Sequence, residues 1–297
     1  MTYQLSRENQ HSKISFQAMA SPCEVLLTTF DQSLIKEIAE KTCSETRRIE
    51  QKFSRYVKNN LCWQMNQSHG QPVTIDQETF QLLNFAKNMY QLSDGKFDIT
   101  SGVLRKIWQF KPQAKPPSQI EINNLLPLIG FEKINYDEIT FTMPEGMEID
   151  FGGIGKEYCV DFITNTITPI CKQHQINFLV NFGGDLSANQ HKDNFEGWKV
   201  GLENADNPQL ADTVIDIKQG AVATSGSTKR FFEYQGKTYS HILNPLTGKT
   251  IEGGPRSVSV FAQSCVLAGS MSTLALLQGA QAEDFLKENQ VKYICCW

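Results

Sequence analysis

The second half of this 297-residue chain constrains its fold most. From residue 138 onward, short apolar runs alternate with turn residues: EITFTM, EIDF, NFLVNF, GWKVGLE, TVIDIK, AVATS, TYSHIL and SVSVFA. Runs of this length, rich in Val, Ile, Phe and Thr and bounded by Gly, Asn and Asp, read as strands. Two long helical stretches interrupt them, one starting near Gly155 and one containing LAGSMST at 267–273. A doubly wound sheet needs a helix after nearly every strand, and this order supplies too few. The expected class is therefore α+β, with largely antiparallel sheets and flanking helices.

The first half adds a strand at EVLLTTF (24–30). A helix follows over 33–53, where Leu34, Ile38, Thr42, Thr46, Ile49 and Phe53 recur at helical spacing. A second helix follows Asp76, a candidate N-cap, with Phe80, Leu83, Met89 and Tyr90 facing inward, and stops at the turn Ser93-Asp94-Gly95. KPQAKPP (111–117) is a Pro-rich surface loop too short for a linker, and IEINNLLPLIGF reads as a short helix and turn. No internal repeat appears. The expectation is one domain over 16–297, preceded by a polar extension over 1–15.

Composition excludes several function classes. Hydrophobic residues at 40% and charged residues at 20% are ordinary for a globular chain, and a net charge of −4 without a basic stripe argues against nucleic-acid binding. No stretch approaches the roughly 18 apolar residues of a membrane span. The eight cysteines form no CxxC pair, which argues against zinc and for reduced thiols in the cytosol. The polar start MTYQLSRENQHSKISF lacks the apolar core of a signal peptide, and Ala20-Ser21-Pro22-Cys23 lacks the hydrophobic run of a lipoprotein signal, so a cytoplasmic location is expected.

Four segments carry candidate chemistry. In IDFGGIGKEY (149–158) a strand runs into glycines and Lys156 opens a helix. Bare backbone and free N–H groups there suit an anion, although Glu157 stands where a Walker A loop has Ser or Thr. A Gly turn with a solvated lysine is the plain alternative. NFGGDL (181–186) reads as a hairpin turn. ATSGSTKRFF ends a strand in hydroxyls at Thr224 and Ser225, and His241 lies in a strand that stops at Asn244-Pro245, a candidate for ligand contact or catalytic proton transfer. SDGKFDITSG (93–102) places Asp98 and Thr100 in a polar turn beside Phe97. No GxSxG nucleophile signature is present.

The order of these pieces is more specific than any one of them. Over roughly 16–279, FQAMASPCEVLL, FSRYVKNNLCWQMN, SDGKFDITSGVL, IDFGGIGKEYCVD, NFGGD, TSG and HILNPLTG resemble, in sequence order, the ApbE family of FAD:protein FMN transferases. The resemblance implies a T-fold-related α+β architecture that binds FAD in a cleft. It implies that Met19 and Tyr56 contact flavin, that Lys96, Phe97 and Asp98 line the same pocket, that Asp150 and Lys156 hold the nucleotide, and that Ser225, His241 and Ile242 close it. It further implies transfer of FMN from FAD to a Ser or Thr hydroxyl of a target flavoprotein, with release of AMP. The acceptor motif would resemble Asp-x-x-Ser/Thr-Gly-Ala-Ser/Thr. Within the chain itself, residues 98–104 begin in that way but end in Val-Leu, without the acceptor hydroxyl.

The resemblance also implies Mg2+, held by the Gly153 carbonyl and by an Asp and a Thr four residues apart at the start of the C-terminal helix. Thr273 is in place, but Gly269 stands where that Asp is expected. Magnesium favours hard oxygen ligands, one or two of them carboxylates. Four outcomes stay open: another carboxylate enters, with Asp185 and Glu157 the candidates; water and FAD phosphates fill the position; the metal binds weakly; or the helix merely packs closely and metal is unnecessary. Two alternative functions follow, a non-catalytic FAD-binding protein and an FAD pyrophosphatase yielding FMN and AMP.

Overall fold

The computed structural model describes residues 2–192, 194–203, 211–227 and 230–297. Thr228 and Lys229 of the ATSGSTKRFF segment lie outside the described residues. Eight strands form the central sheet: β1 (Gln4–Arg7), β2 (Ser12–Ala18), β3 (Ser21–Leu27), β4 (Phe178–Phe182), β5 (Asp185–Asn189), β6 (Gly220–Gly226), β7 (Ser257–Ala262) and β8 (Lys292–Cys296). They lie side by side in this order, and every neighbouring pair is antiparallel.

Three helices cover one face: α1 (Gln32–Phe53), α3 (Gly155–Gln173) and α4 (Cys265–Leu277), with α2 (Gln77–Leu92) at the side. Their roll is set by burial. In α3, Cys159, Val160, Ile163, Ile167 and Cys171 are fully enclosed, each worth about 1.5–3 kcal/mol for the larger apolar side chains. That fixes the orientation of the first turn, which carries Lys156 and Glu157. Alternation along β4 serves both faces of the sheet. Phe178, Val180 and Phe182 join the helix-side core, while Leu179 packs with Leu186, Ala188, Val222, Trp198 and Ile217 under the hairpin formed by Trp198–Glu203 and Ala211–Ile217.

Helix starts follow their caps. Asp31 accepts from the Ser33 and Leu34 amides, and Asp76 from the Thr79 amide, as the N-cap reading of Asp76 anticipates. Phe80 and Tyr90 of α2 are only partly buried, while Leu82 and Ala86 join Leu83 and Met89 inside.

Four expectations change. The strand read at 24–30 starts at Ser21, because pairing with β2 begins at the Ala18–Ser21 hairpin. The first fifteen residues are not an appendage: β1 and β2 form the edge hairpin, with Ser12, Ile14, Phe16 and Ala18 buried at period two among polar neighbours. EIDF is not a strand. Residues 148–150 pair with no strand: Ile149 bonds the Asn66 side chain, the Asp150 amide donates to the Ile99 carbonyl, and Phe151–Gly153 is a 3-10 turn capped by Asp150. TYSHIL is interrupted: Lys237–Ser240 and Leu243–Asn244 are strands, and His241 sits in the bend between them.

Candidate active site

One half of the site is built where strand ends meet the first turns of α3 and α4. Phe182 pairs with Asp185 across a two-residue turn, Gly183-Gly184, with φ of +63° and +96°. Two consecutive left-handed residues make the hairpin turn that matches strand twist. A β-carbon on Gly183 would lie 2.7 Å from Ser21 Oγ, so the turn also needs glycine for space. It places the buried Asp185 carboxylate against the Lys156 ammonium, an ion pair that also engages the Phe182 carbonyl at 3.3 Å. Asp185 Oδ1 accepts from the Thr224 amide at 3.3 Å. Burial would lower Lys156, but Asp185 and then Glu157 outweigh it and hold its pKa raised.

Ser225 and Thr273 join this half. Ser225 Oγ lies 2.7 Å from Ser272 Oγ and 2.9 Å from Thr273 Oγ1, and Ser272 donates to the Gly269 carbonyl at 2.9 Å. Helix α4 is pinned at its start by Asp161 of α3, whose carboxylate accepts from the Cys265 and Val266 amides at 2.7 and 2.8 Å. The small residues at 268–272 are buried all round, which lets α4 lie close to α3 and β6. Glu157 projects into that contact. Burial, and then the Asp185 carboxylate beside it, push its pKa up. Its Oε2 is enclosed without a hydrogen-bond partner.

The other half is a cleft of about 560 Å3 lined by cations and aromatic rings. Arg55, Arg105, Lys106 and Arg230 supply charge, and Tyr56, Trp108 and Phe110 supply ring faces. Glu148 and Asp150 hold part of that charge: Arg55 contacts them at 2.8 and 3.2 Å, Lys106 reaches Glu148 at 2.7 Å and Arg105 approaches Asp150 at 3.6 Å. His241 also lines the cleft. Its Nδ1 lies 3.2 Å from the Arg230 carbonyl, which can only accept, so Nδ1 carries the proton and Nε2 keeps a lone pair. Burial, and then the nearby Arg230 and Arg105 charges, pull the imidazole down to about 4 against that hydrogen bond, so it is neutral at ordinary pH.

The structure thus brings Tyr56, Asp150 and His241 to the cleft, and Lys156, Ser225 and Thr273 to the strand-end cluster. The loop at 150–155 connects the two. Phe97 packs its ring against Gly153, whose β-carbon would lie 3.2 Å from it. Lys96 donates to the Gln278 side chain at the end of α4. Asp98 is tied inward: it accepts from the Thr100 amide and hydroxyl at 2.8 and 2.7 Å and from the Phe131 amide at 3.0 Å, leaving it a scaffold for the Phe97 turn. Met19 occupies the tip of the β2–β3 hairpin and donates its amide to Glu50 at 2.6 Å, while Ile242 packs on the main core and accepts from the Ile251 amide. The cleft cations Arg55, Arg105, Lys106 and Arg230 were not among the sequence-derived candidates. Arg55 adjoins Tyr56 in FSRY, a signal that was present, whereas the others converge only through the fold.

The donor set fits a hard divalent cation in kind: two carboxylates and a row of hydroxyls, all oxygen. Among the described residues no group of three or more His, Cys, Asp or Glu could hold a metal, so hydroxyls, water and substrate phosphate would complete its shell.

A cationic, ring-lined cleft lies beside a Lys–Asp pair and glycine turns on an antiparallel α+β scaffold, a lining whose chemistry suits a phosphorylated aromatic ligand. Residues 19–295 match the ApbE family, and the chain belongs to it. It is 27% identical over 240 residues to the FAD:protein FMN transferase of Vibrio cholerae, covering 78% of this chain and 71% of that protein. The Escherichia coli K12 protein of the same name is 27% identical over 256 residues, covering 82% and 72%. The ApbE protein of Thermotoga maritima superposes with a TM-score of 0.86 at 26% identity, covering 96% of this chain and 94% of that one. The Pseudomonas stutzeri ApbE structure, at 22% identity and a TM-score of 0.83, shares the fold.

Proposed function

We infer that the chain is an FAD:protein FMN transferase. The observation that carries this reading is the neutral His241 imidazole opening on the cationic, ring-lined cleft of an ApbE-family chain. Tyr56 and its neighbouring rings suit an isoalloxazine, and Arg55, Arg105 and Lys156 suit the pyrophosphate. An acceptor Ser or Thr hydroxyl attacks the flavin-side phosphorus of FAD. The new bond joins that oxygen to the FMN phosphate, the bond to the AMP phosphate breaks, and the hydroxyl proton passes to His241 Nε2.

Lys156, held beside Asp185, presents a fixed positive charge to the diphosphate, and the bare glycines at 152–153 and 183–184 allow close approach. A magnesium ion bound near Thr273 would neutralise pyrophosphate charge. The reading extends to an acceptor flavoprotein with an Asp-x-x-Ser/Thr-Gly-Ala-Ser/Thr-like motif. A cytoplasmic setting is supported by eight free cysteines, six of them buried. No described helix is long and apolar enough to cross a membrane.

The test incubates the full chain with FAD, Mg2+ and an acceptor peptide and follows peptide mass and AMP. A peptide heavier by one FMN, with equimolar AMP, supports the reading. AMP without modified peptide indicates a pyrophosphatase, and intact bound FAD indicates a binding protein; either overturns it.

A further inference from the structure

The cleft and the strand-end cluster leave one buried group without a task. Glu157 lies in the first turn of α3, next to Lys156, and its Oε2 is enclosed with no hydrogen-bond partner. Burying a carboxyl oxygen with nothing to bond costs a few kcal/mol, so such a group in a well-packed interior needs an explanation. Neighbouring Asp185 already holds Lys156 and the Thr224 amide, and it can take the Glu157 carboxyl as a donor only while Glu157 is protonated, so an ionised Glu157 has no partner there.

The position of Glu157 is as informative as its isolation. A β-carbon placed on Gly269 would meet Glu157 Cγ at 2.5 Å, Cδ at 3.1 Å and Oε1 at 3.2 Å. The Glu157 side chain therefore fills the volume into which any side chain at 269 would project. Residues 269 and 273 are four apart on α4 and share a face, so that volume lies over the same stripe as Thr273. The Thr273 hydroxyl in turn touches Ser225 at 2.9 Å. Glu157 of α3 thus meets α4 at Gly269, one turn before the Thr273 hydroxyl that touches Ser225 of β6.

We propose that Glu157 supplies, from α3, the carboxylate of a divalent-cation site that it shares with the Thr273 hydroxyl of α4, in the space left by Gly269. This inference rests on the transferase reading for its substrate, since the remaining ligand positions fall to water and to FAD phosphate oxygens. Asp185 already engages the Lys156 ammonium, and a cation would offset the negative charge that Asp185 and Glu157 bring together. Gly269 is then a requirement of the site. A carboxylate can come from 157 or from 269, but the volume holds only one.

The test measures Mn2+ binding directly, by the electron paramagnetic resonance signal of free Mn2+, with the full chain saturated with FAD. The variants are Glu157→Gln, Gly269→Asp, and Glu157→Gly combined with Gly269→Asp. Wild type is expected to bind one Mn2+, and Glu157→Gln to weaken it by about tenfold or more, the least that losing a first ligand costs when outer partners alone cost 10–100-fold. The double variant, with its carboxylate moved to α4, is expected to recover most of that loss. Gly269→Asp alone should melt earlier than wild type without binding Mn2+ more tightly. Melting curves of Glu157→Gln and of the double variant establish that both are folded. Wild-type Mn2+ affinity in Glu157→Gln, or no Mn2+ bound by wild type with FAD present, overturns the proposal. Peptide flavinylation is scored separately. Transfer by wild type with unchanged Mn2+ affinity in Glu157→Gln refutes the metal site and leaves the transferase reading standing; loss of Mn2+ in Glu157→Gln without any transfer does the reverse.

Discussion

Asn66 offers a quantitative test of how the scaffold sets the site. Its side-chain amide donates to the Ile149 carbonyl at 3.0 Å and accepts from the Ile149 amide at 2.7 Å, closing the pair of bonds that a neighbouring strand would make. Ile149 is fully buried, so neither group has water as an alternative. Asn66→Ala removes two hydrogen bonds and strands two backbone groups, at about 0.5–1.5 kcal/mol for each bond and more where the orphaned group stays dry. A loss of about 3 kcal/mol is expected. For a chain of this length the unfolding entropy is roughly 0.6 kcal/mol/K, so the melting temperature should fall by about 5 °C. Asn66→Asp is the sharper variant, because it keeps the acceptor but turns a second acceptor toward the Ile149 carbonyl, and it should lose as much as Ala. Both should also weaken FAD binding, since Asp150 follows Ile149 directly and anchors Arg55. Urea denaturation and flavin fluorescence titration measure the two effects. A loss below about 0.5 kcal/mol in Asn66→Ala, or an Asp variant as stable as wild type, refutes the strand-mimic argument.

Three other predictions follow from the same structure. Glu78 accepts from Arg48, Lys52 and Tyr158, and although burial opposes ionisation these partners hold it down to about 2. Its folded pKa lies below its unfolded value, so its contribution, roughly 1–3 kcal/mol after solvent screening, is complete above about pH 4.5 and lost as pH falls through about 2; Glu78→Gln should flatten stability over that window in acid denaturation. The His241 imidazole should titrate by NMR with a midpoint near 4 and cause no loss of activity between about pH 7.5 and 5.5; a midpoint above about 6 would contradict its burial among arginines. Met19 and Ala20 both have positive φ, 51° and 56°, so Ala20→Gly should relieve left-handed strain and raise stability by about 0.5–1 kcal/mol, and a fall in the melting temperature would refute that.

Much of the fold was legible because it depends on local chemistry. The α+β class followed from strand spacing, α1 and α2 from apolar period and from Asp76, and the hairpin at NFGGDL from two adjacent glycines. What was hidden depends on partners distant in sequence. EIDF has a strand's composition, yet Ile149 is paired by a side chain 83 residues earlier and the Asp150 amide by the single Ile99 carbonyl. The polar start of the chain concealed β2 because only alternate residues face inward. At the site, Tyr56, Lys156, Ser225, His241 and Thr273 are legible through motif order, whereas the four cleft cations sit on turns and at the end of the 3-10 helix Ile99–Lys106, where sequence alone reads them as solvated. Asp98 shows the opposite case: its motif suggested a lining residue, and its three hydrogen bonds all point into the scaffold.

The two halves of the site differ in the way each is held, and that difference bears on function. The strand-end half is clamped by helix packing: Asp161 fixes the start of α4, the glycine turn fixes Asp185, which holds Lys156, and Glu157 is packed against Gly269 of α4. The cleft half is carried on turns and a 3-10 helix by charges that satisfy one another, Arg55 and Arg105 on Asp150, Arg55 and Lys106 on Glu148. On the transferase reading, an arriving pyrophosphate would compete with Glu148 and Asp150 for the same guanidinium groups, so binding would rearrange these pairs instead of filling a preset cage. Such pairs are partly exposed and individually weak, which keeps the exchange inexpensive. The rigid half can then hold the diphosphate in register while the looser half admits the large flavin and, beside it, a segment of another protein.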